Sequence, residues 1–270
     1  MKQFFLSLPL PSKKNLSKDL PLTKRMENIK KFGLIGRNIS YSFSKKYFEE
    51  KFKKLLVKNH SYELYHLDTI ADFKDLLSQN DFVGLNVTIP YKTEIIEFLD
   101  ELSEEAKIIG AVNCINFKDG KLKGYNTDAF GFEQTLLLHK KEHHQSALIL
   151  GDGGAAKAVK YVLEKHGIPY LVVTRKNQLN FENLSEKDVS EHFLIIQTTP
   201  VGTFPNIEDA LPFPFKALTS QHLVIDLIYN PTYTRFIQCA AEQNAKTVNG
   251  YYMLEQQAEK AWEIWNCKAK

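Results

Sequence analysis

Short apolar runs alternate with amphipathic stretches along most of the chain. In the first third, three runs rich in aliphatic and aromatic residues are typical of strands, and the two stretches between them space their apolar side chains as helices do. The predicted strands are residues 32–36, 62–67 and 82–89, and the predicted helices are residues 45–57 and 71–78. This order predicts a βαβαβ unit.

The middle of the chain adds a hairpin to this alternation. Helical patterns cover residues 93–99 and 103–109, and strand patterns at 113–117 and 121–125 flank Asp119-Gly120, a dipeptide typical of two-residue hairpin turns. Another helical pattern follows at 129–139. The polar stretch 140–145 contains two histidines, and we interpret it as a solvated connection in preference to a metal site.

The second half repeats the alternation of strands and helices. Buried strands are predicted at residues 147–150, 171–174, 193–197 and 223–227, with helices between them. Parallel crossovers of this kind give an open α/β sheet whose ligands lie beyond the carboxyl ends of its strands. Functional residues are therefore expected in the loops at that edge.

Composition narrows the class of protein. The 270 residues, 43% hydrophobic and 25% charged, suit one large or two small globular domains. A formal net charge of +3, without a clustered basic patch, predicts neither nucleic-acid nor membrane binding. Cys114, Cys239 and Cys267 are odd in number and lack metal-ligand spacing, so we predict reduced thiols, a cytoplasmic location and no bound metal.

The N-terminal stretch is interpreted separately. Its apolar run at residues 4–11 is short, interrupted by prolines and followed by lysines without a small-residue cleavage site, which disfavours a secretory signal. The polar, basic residues that follow show no sustained period, and an internal Met26 precedes the first strand. We expect residues 1–30 to form a flexible extension.

A glycine-rich segment, GDGGAAKA at residues 151–158, follows a predicted strand and opens a predicted helix. Gly151, Gly153 and Ala156 match the dinucleotide-binding pattern G-x-G-x-x-G/A, in which the glycines allow a tight turn and a close approach of the pyrophosphate. An ordinary glycine turn is the alternative. The strand-turn-helix context favours dinucleotide binding.

The end of the next strand bears on the choice of dinucleotide. An NAD site usually places an acidic residue there to bind the ribose 2′-hydroxyl, whereas this chain has Thr174, Arg175 and Lys176. A guanidinium can form charge-assisted bonds with a 2′-phosphate, which favours NADP. A solvated Arg-Lys pair is the alternative interpretation.

Two polar clusters in the first half are candidates for chemistry. Residues 84–92 place an Asn-x-Thr sequence at the end of a strand, followed by Pro90, and this arrangement would direct Lys92 towards a cleft. Read alone, Lys92 also fits a surface lysine. Asp128, in the sequence Asn-Thr-Asp, also fits a cap for the helix predicted from residue 129. Spacing alone leaves both alternatives open.

Together these segments resemble the shikimate dehydrogenase family, in order from residue 32 to about residue 265. The serine, lysine, asparagine and aspartate motifs of the family are matched by residues 41–44 (YSFS), 86–92 (NVTIPYK), 110–113 (GAVN) and 124–131 (GYNTDAFG). The nucleotide-binding half is similar through residues 151–158, 199–202 (TPVG), 226–231 (DLIYNP) and 250–254 (GYYML), with Gln257.

The resemblance implies a role for each matching residue. Lys92 and Asp128 would be catalytic, with Asp128 orienting Lys92 as it donates or accepts the proton of the reacting hydroxyl. The substrate carboxylate would be bound by Ser42, Ser44 and Tyr229, and the ring hydroxyls by Thr88, Asn113 and Gln257. The expected NADP contacts are Gly151, Gly153, Gly154, Ala155, Thr174, Arg175, Lys176, Leu227 and Gly250.

Some positions depart from the family pattern. Tyr41, Cys114 and Thr203 stand where histidine, threonine and methionine are common, and none of them removes a proposed catalytic group. The basic motif begins with Thr174 where asparagine is usual, and it lacks a clear later basic residue. This departure weakens the prediction of NADP more than it weakens the prediction of the reaction.

The resemblance implies an α/β protein of two domains separated by a cleft. A substrate domain would span residues 31–128, completed by a helix within 251–270, and a Rossmann-like NADP-binding domain would span 129–250. The expected partner is the small molecule shikimate or 3-dehydroshikimate, bound by a monomer or homodimer. Two alternatives remain: an NAD-preferring quinate/shikimate dehydrogenase, and a catalytically silent dinucleotide-binding regulator.

Overall fold

The computed structural model describes residues 29–40 and 42–267. The predicted N-terminal extension therefore lies outside the described residues, except for its last two positions, and Tyr41 lies outside them too. Two β-sheets, each packed against helices, make up the fold.

The first sheet contains six strands. Its elements are β1 (Lys30–Gly36), α1 (Ser44–Lys54), β2 (His60–His66), α2 (Phe73–Ser78), β3 (Phe82–Val87), β4 (Glu101–Leu102), α3 (Glu104–Ile109), β5 (Cys114–Lys118) and β6 (Lys121–Tyr125). The strand order is β2-β1-β3-β5-β6-β4, with β1 parallel to β2 and β3, and β5 antiparallel to β3 and β6. The predicted βαβαβ unit and hairpin are confirmed.

The hairpin turn has the backbone conformation that its dipeptide predicts. Asp119 and Gly120 have φ values of 53° and 75°, and two consecutive positive φ angles are typical of a type I′ turn. The segment predicted as a helix at 93–99 differs, because Glu94–Phe98 forms a 3-10 helix. The two-residue β4 was not predicted.

The second sheet is fully parallel. Its elements are α4 (Thr127–His139), β7 (Ala147–Leu150), α5 (Gly154–Lys165), β8 (Tyr170–Val173), α6 (Glu186–Ser190), β9 (Leu194–Gln197), β10 (Leu223–Asp226), α7 (Arg235–Glu242), β11 (Lys246–Asn249) and α8 (Tyr251–Asn266). The strand order is β11-β10-β9-β7-β8, which makes this sheet Rossmann-like. The four predicted strands are confirmed, and β11 was missed.

The C-terminal helix α8 returns to the first sheet. Ala261 and Trp265 lie in one buried apolar cluster with Phe32 of β1, and Trp265 Nε1 donates a hydrogen bond to the Ile115 carbonyl at 3.0 Å. A Cβ at Gly84 would lie 2.1 Å from Trp265 Nε1, so this close approach requires glycine. The α8 helix therefore covers β3 and β5 through direct packing.

A buried apolar cluster also joins the two halves. Ile109 and Ala111, which precede β5, belong to the same cluster as Ala156 and Val159 of α5. The boundaries at residues 128 and 250 between a substrate and a nucleotide domain stay predictions. Across residues 29–40 and 42–267, no helix is long and apolar enough to cross a membrane.

Candidate active site

Lys92 and Asp128 form an ion pair at the edge of a cavity between the two sheets. Lys92 Nζ donates to Asp128 Oδ2 at 2.6 Å, and the two side chains are 15% and 9% exposed. The backbone around Lys92 is anchored, because Val112 N donates to the Lys92 carbonyl at 2.7 Å. Lys92 is thus a largely buried, paired cation, and the interpretation of it as a surface lysine is wrong.

Local structure explains why Asp128 faces this cavity. The helix α4 begins at Thr127, two residues earlier than the predicted start at residue 129. Its cap is Asn126, whose side-chain oxygen accepts a hydrogen bond from Ala129 N at 3.2 Å. Because Asn126 satisfies the helix terminus, Asp128 does not act as the cap. Its carboxylate is instead bonded to Lys92.

Asn113 holds the other carboxylate oxygen. Its Nδ2 donates to Asp128 Oδ1 at 2.8 Å and to Thr127 Oγ1 at 3.0 Å, while its Oδ1 accepts from Thr127 N at 2.6 Å. Asp128 therefore accepts a hydrogen bond from Asn113 at one carboxylate oxygen and from Lys92 at the other. Buried carboxylates held on both oxygens have little orientational freedom, so the direction of the Lys92 ammonium is defined.

All eight predicted catalytic and substrate-binding residues line one cavity of about 180 Å³. These are Ser42, Ser44, Thr88, Lys92, Asn113, Asp128, Tyr229 and Gln257. The cavity is also lined by apolar side chains from both halves, including Leu34 and Met253. Hydroxyl and amide groups thus converge with one ammonium on a small space.

Asn86 lines the same cavity and was not predicted as a site residue. Its Oδ1 accepts from the Tyr62 hydroxyl at 2.8 Å, and its Nδ2 donates to the Asn113 carbonyl at 3.2 Å. Burial holds the pKa of Tyr62 well above its ordinary value, so this hydroxyl stays a donor. The Asn-x-Thr sequence at the strand end was the signal for Asn86.

An aromatic contact lies at the serine end of the cavity. The rings of Phe43, between the two serines, and Tyr229, from the second half, meet edge to face with centroids 5.5 Å apart. Ser44 N donates to Ser42 Oγ at 3.3 Å. Tyr229 therefore brings a group from the second half to the cavity that the two serines line.

A second, larger cavity of about 680 Å³ opens at the glycine-rich loop. Gly151 has φ +109°, and a Cβ there would lie 2.8 Å from Thr198 Oγ1, so the turn requires glycine. A Cβ at Gly153 would meet no atom within 4 Å, which leaves open space in front of the first turn of α5. Helix N-termini of this kind bind phosphate groups.

Seven of the nine predicted cofactor residues line one of the two cavities. The larger one is lined by Gly151, Gly153, Thr174 and Arg175. The smaller one is lined by Ala155, Leu227 and Gly250. Gly154 lies against Lys92, since a Cβ there would be 3.5 Å from Lys92 Cδ. The Lys176 backbone N–H bonds to Thr174 Oγ1, and the Lys176 side chain is not among those that line either cavity.

Two acidic residues line the larger cavity and were not singled out from the sequence. Asp152, within the glycine-rich loop, is paired with Lys160 of α5 at 2.6 Å, whereas Glu182 follows β8. Thr198 and Thr199, at the carboxyl end of β9, also line this cavity. The larger cavity therefore presents both basic and acidic groups. Within the described ranges, no cluster of three or more His, Cys, Asp or Glu side chains is arranged to hold a metal ion.

Comparison with known proteins gives a consistent assignment. A family model described as the shikimate dehydrogenase substrate binding domain matches residues 34–115. The shikimate dehydrogenase (NADP(+)) of Methanosphaera stadtmanae is 37% identical over 259 residues, covering 87% of this chain and 91% of the relative.

Two solved structures show the same architecture. Shikimate 5-dehydrogenase from Thermus thermophilus, in complex with NADP(H) and shikimate, is 28% identical with a TM-score of 0.79, covering 88% of this chain and 94% of that one. Quinate dehydrogenase from Corynebacterium glutamicum, in complex with NAD, is 26% identical with a TM-score of 0.78 and the same coverage of 88% and 94%. The Methanosphaera stadtmanae relative is 37% identical along most of both chains, and the family's motifs occur in this sequence in the same order. This protein therefore belongs to the shikimate dehydrogenase family.

Proposed function

We propose that this chain is an NADP-dependent shikimate dehydrogenase that reversibly reduces 3-dehydroshikimate to shikimate, a step of aromatic amino-acid biosynthesis. The observation that carries the proposal is the Lys92–Asp128 ion pair, 2.6 Å between Nζ and Oδ2, at a small cavity where hydroxyl and amide groups converge among apolar side chains. The same ion pair argues against a catalytically silent regulator, because a regulator needs no buried proton donor.

The groups around the cavity suit a hydroxylated ring acid. The hydroxyls of Ser42, Ser44 and Tyr229 can bind a carboxylate at one end of the cavity. Thr88, Asn113 and Gln257, to which we add Asn86, can bond to ring hydroxyls. This distribution would place the ketone of 3-dehydroshikimate next to Lys92.

Lys92, oriented by Asp128, would then transfer the proton to or from the reacting oxygen. An ammonium has three N–H donors, and Asp128 occupies one of them, so others can point to the ketone oxygen. As negative charge grows on that oxygen, Lys92 stabilises it and donates a proton; in shikimate oxidation, Lys92 acts as the base. Asp128, held by Asn113, keeps the ammonium directed at the oxygen.

The residues of the larger cavity fit NADP. The open space before Gly153 and the N-terminus of α5 suit a diphosphate, and Arg175 can pair with a 2′-phosphate. Bound there, NADPH supplies the hydride, and no metal is required. Ala155, Leu227 and Gly250, at the smaller cavity, would meet the nicotinamide end. A Cβ at Gly250 would lie 2.0 Å from the Leu227 carbonyl oxygen, so this contact requires glycine.

An NAD-preferring quinate/shikimate dehydrogenase is the second candidate, because Glu182 lines the same cavity as Arg175. A carboxylate near the adenosine ribose favours a free 2′-hydroxyl over a 2′-phosphate. The test is NADPH oxidation with 3-dehydroshikimate, and shikimate or quinate oxidation with each cofactor. Turnover of shikimate with NADP supports the main proposal, whereas preference for quinate and NAD supports the alternative.

The setting of the enzyme also belongs to the proposal. We place it in the cytoplasm, in agreement with the free thiols of Cys114 and Cys239. Its expected oligomeric state, monomer or homodimer, stays a prediction.

A further inference from the structure

Lys157 lies on α5, the helix that follows the glycine-rich loop, but its ammonium bonds to residues on the other side of the cleft. Its Nζ donates to the Gly110 carbonyl at 3.1 Å and makes a longer contact, 3.4 Å, with Thr93 Oγ1. Its neighbour on the helix, Lys160, bonds instead to Asp152 within the loop. Lys157 therefore links the cofactor-binding helix to the substrate side.

Both partners of Lys157 adjoin the reacting groups. Thr93 directly follows Lys92. Gly110 lies two residues before Val112, whose N–H bonds to the Lys92 carbonyl at 2.7 Å, and three residues before Asn113, which holds Asp128. The Lys157 ammonium thus connects α5 to two backbone segments, one that carries Lys92 and one that carries Asn113.

Apolar side chains also pack α5 against this side of the cleft. Ile109 and Ala111, which flank Gly110, share a buried apolar cluster with Ala156 of α5. Gly154, in the first turn of α5, lies beside Lys92, since a Cβ there would be in ordinary van der Waals contact with Lys92 Cδ at 3.5 Å. The polar contacts of Lys157 therefore accompany apolar packing between α5 and the segments around Lys92 and Gly110.

We propose that Lys157 is a positioning residue for hydride transfer, a role that rests on the proposed function. In this reaction the hydride, with its electron pair, leaves the reduced nicotinamide for the carbonyl carbon, and Lys92 supplies a proton to the oxygen. The reacting atoms must approach to about 3–3.5 Å, and a misplacement of about 1 Å costs about a hundredfold in rate. Lys157 sets this approach by tying the helix that holds the cofactor to the loops that hold the substrate.

The test compares Lys157→Met, which keeps the side-chain length but removes the charge, with Lys157→Arg. The control is Lys165→Met on the same helix, because Lys165 pairs with Glu133 at 2.9 Å, away from both cavities. We expect Lys157→Met to lower kcat about ten- to a hundredfold, with KM for 3-dehydroshikimate changed less than about threefold. The isotope effect with NADPH deuterated at the transferred position should rise, and Arg should restore most of kcat.

A second readout does not depend on turnover. In the protein without cofactor, amide hydrogen exchange at residues 92–94 and 110–113 should be faster in Lys157→Met than in wild type or Lys165→Met. A folded Lys157→Met variant with normal kcat and normal amide exchange would overturn the proposal. A variant whose kcat falls only because its thermal stability is lower, with an unchanged isotope effect, would overturn it too. An inactive wild type would instead contradict the proposed function, while the exchange comparison would still test the link.

Discussion

Replacing Lys92 with methionine should separate the catalytic from the structural role of the ion pair. Lys92 is 15% exposed and bonds to an Asp128 carboxylate that is 9% exposed, so its loss leaves a mostly buried carboxylate with Asn113 as its remaining side-chain partner. Leaving a buried acceptor unpaired costs about 1–3 kcal/mol of unfolding free energy, and more when the acceptor is charged, as this carboxylate is. Water in the adjoining cavity can solvate the carboxylate in part, so we expect a loss of about 1–3 kcal/mol.

The effect on catalysis should be larger and independent of stability. General acid–base catalysis contributes about 10²- to 10⁴-fold, so kcat should fall by that factor while substrate KM changes little. The double variant Lys92→Met/Asp128→Asn should recover the unfolding free energy, since no carboxylate remains unpaired, and should stay inactive. Urea unfolding and steady-state assays with 3-dehydroshikimate measure the two quantities. A Lys92→Met variant that folds and keeps near-normal kcat would refute the assigned role.

Two further predictions concern the cofactor and pH. Arg175→Ala should reduce the preference for NADP over NAD about ten- to a hundredfold in kcat/KM, because a charge-assisted contact contributes roughly 1.5–3 kcal/mol; an unchanged ratio would contradict the contact. Burial raises the pKa of Asp226 to about 6, although Thr234 Oγ1 and Ile228 N donate to its carboxylate. Below the ordinary pKa of 3.8, the carboxyl is protonated in both the folded and the unfolded chain. Between pH 3.8 and about 6 the unfolded chain loses this proton more readily than the folded chain, so the unfolding free energy falls as pH rises through this interval. The unfolding free energy of Asp226→Asn, relative to wild type, should increase by about 1 kcal/mol between about pH 5 and pH 7.5. A pH-independent difference would show that Asp226 titrates normally.

The fold could be predicted where the spacing of apolar residues and the residue types in the turns indicated the same elements. The glycine-rich sequence at 151–158 favours a strand–turn–helix and the Asp119-Gly120 dipeptide favours a type I′ turn, and the structure has both. The strand β11 was missed because Lys246–Asn249 contains one aliphatic residue, Val248, and acquires its strand character by pairing with β10. Such tertiary pairing leaves little trace in local sequence.

The site was predictable as a set of residues but not as a geometry. The motifs identified Lys92 and Asp128 as candidates. The same sequence also allowed Lys92 to be a surface lysine and Asp128 to be a helix cap. Only the assembled structure shows that Asn126 is the cap and that Asn113 bridges to Asp128. The sequence shows Lys157 only as part of the glycine-rich segment, because its contact with Gly110 spans 47 positions. Contacts over such separations depend on how the two sheets pack.

The most direct test of the account is the specificity of the wild-type enzyme. Purified protein would be assayed for oxidation of shikimate and of quinate, each with NADP and with NAD, through the absorbance of the reduced cofactor. We predict that kcat/KM is highest for shikimate with NADP, by at least about tenfold over shikimate with NAD. Absence of shikimate turnover in the folded protein, or a higher kcat/KM for quinate with NAD, would contradict it.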